Sequence, residues 1–112
     1  MKLPNCEHAV VPRAKVVDYL LSYTHRDGQH KAVFFKRFGF AAAEWERLAQ
    51  ALCEHDVARI ETFSYGQRYI VEGILRSPGM RNPLIRTVWF VESGEDTPRF
   101  VTAYALRRDT DD

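Results

Sequence analysis

Apolar residues recur at helical spacing through the first half of the chain and at alternate positions through the second half. The segment RAKVVDYLLS, which follows a proline, and the segment QHKAVFFKRF, which ends at Gly39, each place apolar residues on one side of a helix. A third amphipathic helix is predicted from about residue 42 to 55, with Trp45, Leu48 and Leu52 in its apolar stripe. The first half of the chain is therefore predicted to form three helices.

From residue 57 the apolar period changes to two, which is typical of β-strands buried on one side. The turn signals YG, SPGMRNP and SGEDTP separate four such segments, residues 57–64, 68–76, 84–92 and 98–106. Connections this short join antiparallel neighbours. The sequence thus predicts one α+β domain over residues 1–106, with the N-terminal helices packed on one face of a four-stranded antiparallel sheet. Residues 107–112 are predicted to form a charged C-terminal tail.

Alternation within the strands predicts which side chains lie on the face of the sheet that the helices leave open. In RFVTAYAL, Val101 and Ala103 are small enough to fit beneath helices. The open face then receives the other side chains of this strand, among them Phe100, Thr102 and Tyr104. The same rule places Arg86 of LIRTVWFV on the open face, next to an arginine and a glutamate of RYIVEGIL, which could also be an ordinary cross-strand ion pair.

Charge and cysteine content narrow the choice of environment and partner. The chain has 112 residues with 16 Lys and Arg against 15 Asp and Glu, a formal net charge of +1, so its total charge does not indicate nucleic-acid or membrane binding. The start MKLPNCEH lacks the apolar core of a signal peptide. We therefore expect a cytoplasmic protein that does not bind a membrane, in which Cys6 and Cys53 stay free thiols.

Metal and cofactor sites find little support in the sequence. The tripeptide Cys-Glu-His occurs twice, at 6–8 and 53–55, and offers the residue types of a zinc site. On the predicted third helix, Cys53 and His55 would point about 200° apart around the axis, so they cannot readily bind one ion. There is no glycine-rich phosphate loop and no G-x-S-x-G motif. We expect neither a metal nor another cofactor.

Candidate chemistry is concentrated in THRDGQHKAVFFKRFGF, where His25 and His30 lie among cationic side chains. Histidine can accept or donate a proton near neutral pH, and arginine binds phosphate with a fork of donors. Together with hydroxyl groups, these side chains suit a metal-free reaction, the attack of an RNA 2′-hydroxyl on the neighbouring phosphate. A histidine in a loop can equally be a surface residue without a catalytic role.

The segments KVVDYLLSYTHRDGQHKAVFFKRFGF and YGQRYIVEGILRSPGMRNPLIRTVWFVESGEDTPRFVTAY resemble a small bacterial family described only as a domain of unknown function. More distantly, N-terminal helices before a four-stranded sheet that ends in VTAY resemble the barnase, EndoU, colicin and RelE-like ribonuclease superfamily, which includes many toxins. This resemblance implies a site on the open sheet face. Its residues would be a histidine or lysine from the helical part and an arginine and two hydroxyl residues from the strands: His25, His30 or Lys31, then Arg86, Thr102 and Tyr104.

Two hypotheses follow from these observations. The first is a metal-independent, toxin-type ribonuclease with an RNA substrate and a cognate antitoxin or immunity protein as partner. Its catalytic candidates are His25, His30, Arg86, Thr102 and Tyr104, and its phosphate-binding candidates are Lys31, Arg86 and Arg99. The alternative is a non-catalytic interaction module, an accessory or immunity-type partner that docks another protein on the open sheet face; the low net charge favours it. Convergence of the candidate side chains would favour the ribonuclease.

Overall fold

The computed structural model describes residues 1–79 and 81–106, and the predicted tail lies outside the described residues. Three helical segments precede four strands, so the predicted α+β fold is confirmed. Helix α1 (Arg13–Lys15) continues into a π-helical turn (Val16–Leu20), and helices α2 and α3 are Gln29–Arg37 and Trp45–Leu52. The strands are β1 (Asp56–Phe63), β2 (Gly66–Ile74), β3 (Leu84–Glu92) and β4 (Arg99–Ala105).

The four strands form an antiparallel sheet in the order β1-β2-β3-β4, and the helices pack on one of its faces. The core between these layers contains Phe35 of α2, Leu48 and Leu52 of α3, and Trp89 and Ala103 of the sheet, all at 0% exposure. Trp45 lies at the margin of this core and is half-buried. Within the described part of the chain, no helix combines the length and the apolar character needed to cross a membrane.

Helix α2 ends where its sequence predicts. Gly39 has a φ of 97°, a left-handed conformation that glycine adopts without steric cost. Its N–H donates to the carbonyl of Lys36 and the N–H of Phe40 donates to that of Phe35, which closes the last turn. Ala32 and Phe35 face the core, whereas Phe38 is only half-buried.

A β-bulge in β4 overturns part of the predicted alternation. Val88 of β3 lies opposite Thr102, but its neighbour Trp89 lies opposite Phe100, so Val101 is an extra residue with no partner. Val101 is therefore 37% exposed rather than in the core, and Phe100 is buried on the helix side rather than on the open face. Thr102 keeps its predicted orientation because it lies beyond the bulge.

The prediction of two free thiols is wrong, because Cys6 and Cys53 form a disulfide with their Cα atoms 5.7 Å apart. The bond joins the short 3₁₀ turn at Cys6–His8 to the residue that follows α3. The sequence does not reveal this because the two cysteines, 47 positions apart in the chain, come together only in the folded protein. A disulfide is uncommon in a reducing cytoplasm, and the cytoplasmic location stays a prediction.

His55 packs in a tight space at the junction of α3 and β1. Its Nε2–H donates to the carbonyl oxygen of Ile74 at 2.8 Å, and its ring lies over Gly73, where a Cβ atom would come within 2.6 Å of the ring. The Nδ1 atom is buried and has no hydrogen-bond partner among the described residues. Burial lowers the pKa of His55 below the ordinary value, because a charged ring would be poorly solvated there.

This environment predicts acid sensitivity. Because the pKa of His55 is lower in the folded protein, the unfolded chain takes up a proton at a higher pH than the folded chain does. Above about pH 6.5, His55 is neutral in both states and does not change the free energy of unfolding. As the pH falls below this value, protonation of the unfolded chain lowers the free energy of unfolding. The loss should not exceed about 1.4 kcal/mol per pH unit for one proton. Urea unfolding between pH 7 and 5 should show a flatter profile for His55→Gln than for wild type. The exposed His8 is the control, and an equal flattening in His8→Gln would contradict the assignment.

Candidate functional site

Arg86 forms the centre of a polar cluster on the open face of the sheet. Its Nε donates to Glu72 Oε2 at 2.8 Å, and its Nη1 donates to the Tyr104 hydroxyl at 3.2 Å. The three residues are direct neighbours across β2, β3 and β4. The hydrogen bonds to Tyr104 and then to Glu72 raise the pKa of Arg86 above its ordinary value, so its positive charge is permanent.

Two lysines of the helical layer reach the outer edge of β4. Lys31 of α2 donates from Nζ to the Ala103 carbonyl oxygen at 2.9 Å, and Lys15 donates to the Val101 carbonyl oxygen at 3.2 Å. These bonds occupy carbonyl groups that an edge strand would otherwise offer to another chain. The Lys31 ammonium also lies 5.1 Å from the centre of the Tyr104 ring. Lys31 therefore adds a second positive charge beside Arg86 and Tyr104.

Tyr19 joins the helical layer to the hydroxyl groups of β4. Its hydroxyl lies 2.9 Å from Thr102 Oγ1, and its ring contacts the His25 ring edge to face with centroids 4.9 Å apart. Gly28 permits this arrangement, since a Cβ atom at this position would lie 2.1 Å from the Tyr19 carbonyl oxygen. The close approach holds the loop between the first two helices against Tyr19 and thus near Thr102.

His25 has a structural role at the start of α2. Its Nδ1 accepts hydrogen bonds from the backbone N–H groups of Asp27 and Gly28, both at 3.0 Å. A neutral imidazole that accepts at Nδ1 carries its proton on Nε2. His25 can therefore donate a hydrogen bond from Nε2. To accept a proton at Nε2, the ring would need the other tautomer, with its proton on Nδ1, and that proton would then face the N–H groups of Asp27 and Gly28.

Two cavities connect the histidines with the hydroxyl residues of β4. The first, about 640 Å³, is lined by His25, Tyr19 and Thr102. The second, about 290 Å³, is lined by His30, Lys31 and Tyr104. Asp27 borders both cavities. His30 is exposed in the first turn of α2, and no hydrogen bond within residues 1–79 and 81–106 constrains its ring. We define the two cavities, with Arg86, as the candidate site.

Comparison with known proteins assigns the family. A family model described as "Domain of unknown function (DUF6883)" matches residues 2–107. The chain belongs to this family. Among solved structures, a chain of the "Contact-dependent growth inhibition toxin - immunity protein complex from Klebsiella pneumoniae 342" is similar to it, with a TM-score of 0.66 and 24% identity over 92% of this chain and 97% of that chain. Among curated proteins, no sequence matches.

These comparisons confirm the resemblance to a family of unknown function and show that the DUF6883 fold also occurs in a toxin–immunity complex. The identity to the Klebsiella pneumoniae chain is low, so the likeness establishes the fold and leaves the activity to be argued from the site.

The DUF6883 chain brings most of the predicted site residues together. Arg86 and Tyr104 are in direct contact, Lys31 lies against the Tyr104 ring, and Thr102 lies next along the same face of β4. His25 and His30 line the two cavities with these residues. Arg99 lies elsewhere, opposite Phe90 at the far end of β4, and borders neither cavity.

Tyr19 and Lys15 also belong to the candidate site, and the sequence did not reveal them. Both lie in the segment predicted as the first helix, where a tyrosine and a lysine are unremarkable. Their partners, Thr102 and the Val101 carbonyl group, are 83 and 86 residues away in the chain. In the part of the chain that the structure describes, no group of three or more His, Cys, Asp or Glu side chains is arranged to hold a metal ion.

Proposed function

We propose that this protein is a metal-independent, toxin-type endoribonuclease that cleaves RNA through its own 2′-hydroxyl group. The observation that carries the proposal is the convergence of Arg86, Tyr104 and Lys31 beside the cavity that His30 lines. Two cationic side chains, a hydroxyl donor and an unconstrained imidazole are the groups that this reaction requires.

In this proposal, His30 and Tyr104 carry out the proton transfers. His30 accepts the proton of the 2′-hydroxyl as the 2′-oxygen bonds to phosphorus. The bond between phosphorus and the 5′-oxygen breaks, and Tyr104 donates its hydroxyl proton to that oxygen. The Arg86 Nη1 donor, 3.2 Å from the tyrosine oxygen, stabilises the phenolate that remains. The products are a 2′,3′-cyclic phosphate and a 5′-hydroxyl, and the two side chains exchange protons with water afterwards.

Arg86 and Lys31 bind the phosphate group in this proposal. Of its five N–H groups, Arg86 directs one at Nε and one at Nη2 to Glu72 and one at Nη1 to Tyr104, which leaves two donors for the phosphoryl oxygens. Lys31 uses one of its three donors on the Ala103 carbonyl group. Both charges are held in place before the substrate arrives, which is how a site stabilises the charge that develops in a transition state.

The remaining residues position these groups. Thr102 is held by Tyr19, and its hydroxyl can orient a phosphoryl oxygen next to Arg86. His25 contributes by ordering the backbone that leads into α2, which places His30 and Lys31 one turn later. Arg99, distant from this cluster, binds a phosphate further along the RNA.

A non-catalytic module remains the second candidate, because ion pairs reduce the positive charge of the open face. Glu72 pairs with Arg86, and Glu61 pairs with Arg68 at 2.6 Å. An interface for another protein needs no free cation. In either case the partner we propose is a protein of antitoxin or immunity type, since a chain of the same fold occurs in a toxin–immunity complex.

The decisive experiment is incubation of the purified protein with total RNA and with tRNA in the presence of EDTA. We expect fragments that end in 2′,3′-cyclic phosphate and begin with 5′-hydroxyl groups, identified by mass spectrometry. Substrates with a 2′-deoxy or 2′-O-methyl group at the cleaved position should stay intact, because they lack the nucleophile. Intact RNA under all conditions, together with stoichiometric binding of another protein to the Thr102 and Tyr104 face, would replace the ribonuclease by the module.

A further inference from the structure

An aromatic row lies on the open face at the end opposite the candidate site. It consists of Phe63, Tyr65 and Phe90, whose rings are nearly parallel: the Tyr65 centroid lies 5.3 Å from that of Phe63 and 5.6 Å from that of Phe90, at 20° and 26°. Tyr65 is 63% exposed in the two-residue turn between β1 and β2. Such exposure of a large ring is not explained by packing of the core.

The backbone fixes this row in place. Phe63 and Gly66 are paired across the turn, and Gly66 has a φ of 155°. A Cβ atom at Gly66 would lie 2.6 Å from the Phe90 ring, so the missing side chain is what lets this ring lie across β2. The aromatic row is therefore presented by a tight turn and by β1 and β3, the two neighbours of β2, rather than by a long loop.

Cationic side chains flank the aromatic row. The Arg68 guanidinium lies 5.2 Å from the Phe63 centroid, although it also pairs with Glu61. Arg99 lies opposite Phe90 on the same face, is exposed, and has no side-chain hydrogen bond or ion pair within the described residues. Stacked rings beside an available cation match the requirements of a single-stranded nucleic acid, which offers base faces and phosphates.

The row and the candidate site lie on one continuous surface. Phe90 follows Arg86 by four residues along β3, which corresponds to about 13 Å. The surface between Arg86 and Phe90 is formed by Ile70 and Val88, which are directly paired across β2 and β3 and nearly buried. A strand of RNA whose phosphate is bound at Arg86 can therefore reach the aromatic row without leaving the sheet.

We infer that Phe63, Tyr65 and Phe90 form a base-stacking subsite for single-stranded RNA, with Arg99 binding the adjoining phosphate. This inference rests on the proposed function for the identity of the ligand. It adds that the substrate is unpaired where it crosses the aromatic row, about 13 Å from the phosphate at Arg86, because a base held in a duplex cannot stack on Tyr65. A strand bound in this way is recognised by its exposed bases and its backbone charge rather than by a particular sequence.

The test is fluorescence anisotropy with a labelled 2′-O-methyl oligoribonucleotide of about eight nucleotides, which cannot be cleaved. Wild type should bind the single strand more tightly than the same sequence in a duplex. Tyr65→Ala should weaken binding about 5- to 160-fold, the range for one lost stack, while Tyr65→Phe stays within about 2-fold. Tyr23→Ala is the matched control, because Tyr23 is also exposed but packs on Lys36 in the helical layer.

The salt dependence separates stacking from charge. Tyr65→Ala should leave the slope of log Kd against log salt unchanged, and Arg99→Ala should reduce its magnitude by about 1. Equal binding by wild type and Tyr65→Ala, or an absence of binding by wild type, overturns the inference. If wild type and Tyr65→Ala both cleave RNA with the same KM, the stacking subsite is rejected and the proposed ribonuclease activity is retained. If Tyr65→Ala loses binding but wild type never cleaves, the subsite stands and the ribonuclease fails.

Discussion

Replacing His30 by alanine should lower the rate of RNA cleavage about 10²–10⁴-fold, the usual contribution of a general base. The expected cause is loss of the group that accepts the 2′-hydroxyl proton in the cavity beside Lys31 and Tyr104. Single-turnover cleavage of a short oligoribonucleotide measures this step without product release. His30 is exposed, and no backbone group of residues 1–79 and 81–106 hydrogen-bonds to its ring, so the melting temperature should stay within a few degrees of wild type.

The His25→Ala variant is the matched comparison for His30→Ala. His25→Ala removes the acceptor for two backbone N–H groups and should cost about 1 kcal/mol of stability, as loss of a helix cap does. At a temperature where both variants are folded, His25→Ala should keep much more activity than His30→Ala. The reverse order of activities would move the proton transfer to His25.

Replacing Arg86 by alanine should lower the cleavage rate about 10²–10³-fold, which is the loss expected when a group that stabilises transition-state charge is removed. Arg86→Lys keeps a positive charge but loses the fork that holds Glu72 and Tyr104 together, so it should recover only part of this loss. Because Arg86 acts on the transition state, kcat should fall more than KM rises. Rapid-quench kinetics with a fluorescent oligoribonucleotide measures both parameters.

Lys36→Ala provides the control for a general effect of charge. Lys36 belongs to the same helical layer, but its ammonium packs 4.1 Å from the centre of the Tyr23 ring, away from the candidate site. Its replacement should change the rate less than about 3-fold. Equal effects of Arg86→Ala and Lys36→Ala would show that only the total charge matters, and would remove Arg86 from the mechanism.

The local patterns were sufficient for the helices, the strands and most of the open face. Amphipathic spacing predicts α3 because a helix must turn one stripe toward the core, and alternation predicts that Arg86 and Tyr104 share a face because successive strand residues point to opposite sides. Alternation fails in β1, where Val57 lies opposite Val71 but Arg59 lies opposite Ile70, and in β4, which contains the extra residue Val101. Nothing in RFVTAYAL marks that bulge, since it depends on how β4 pairs with β3.

The candidate site, like the fold, could be predicted from the sequence only in part. The residue types and the face of the sheet follow from the sequence, because side-chain chemistry and strand period are local properties. The contacts of Tyr19 with Thr102 and of Lys31 with the Ala103 carbonyl group, like the disulfide between Cys6 and Cys53, join positions 47 to 83 residues apart. Only the tertiary structure decides such contacts, because they depend on how the helical layer is seated on the sheet, and no local pattern encodes that placement.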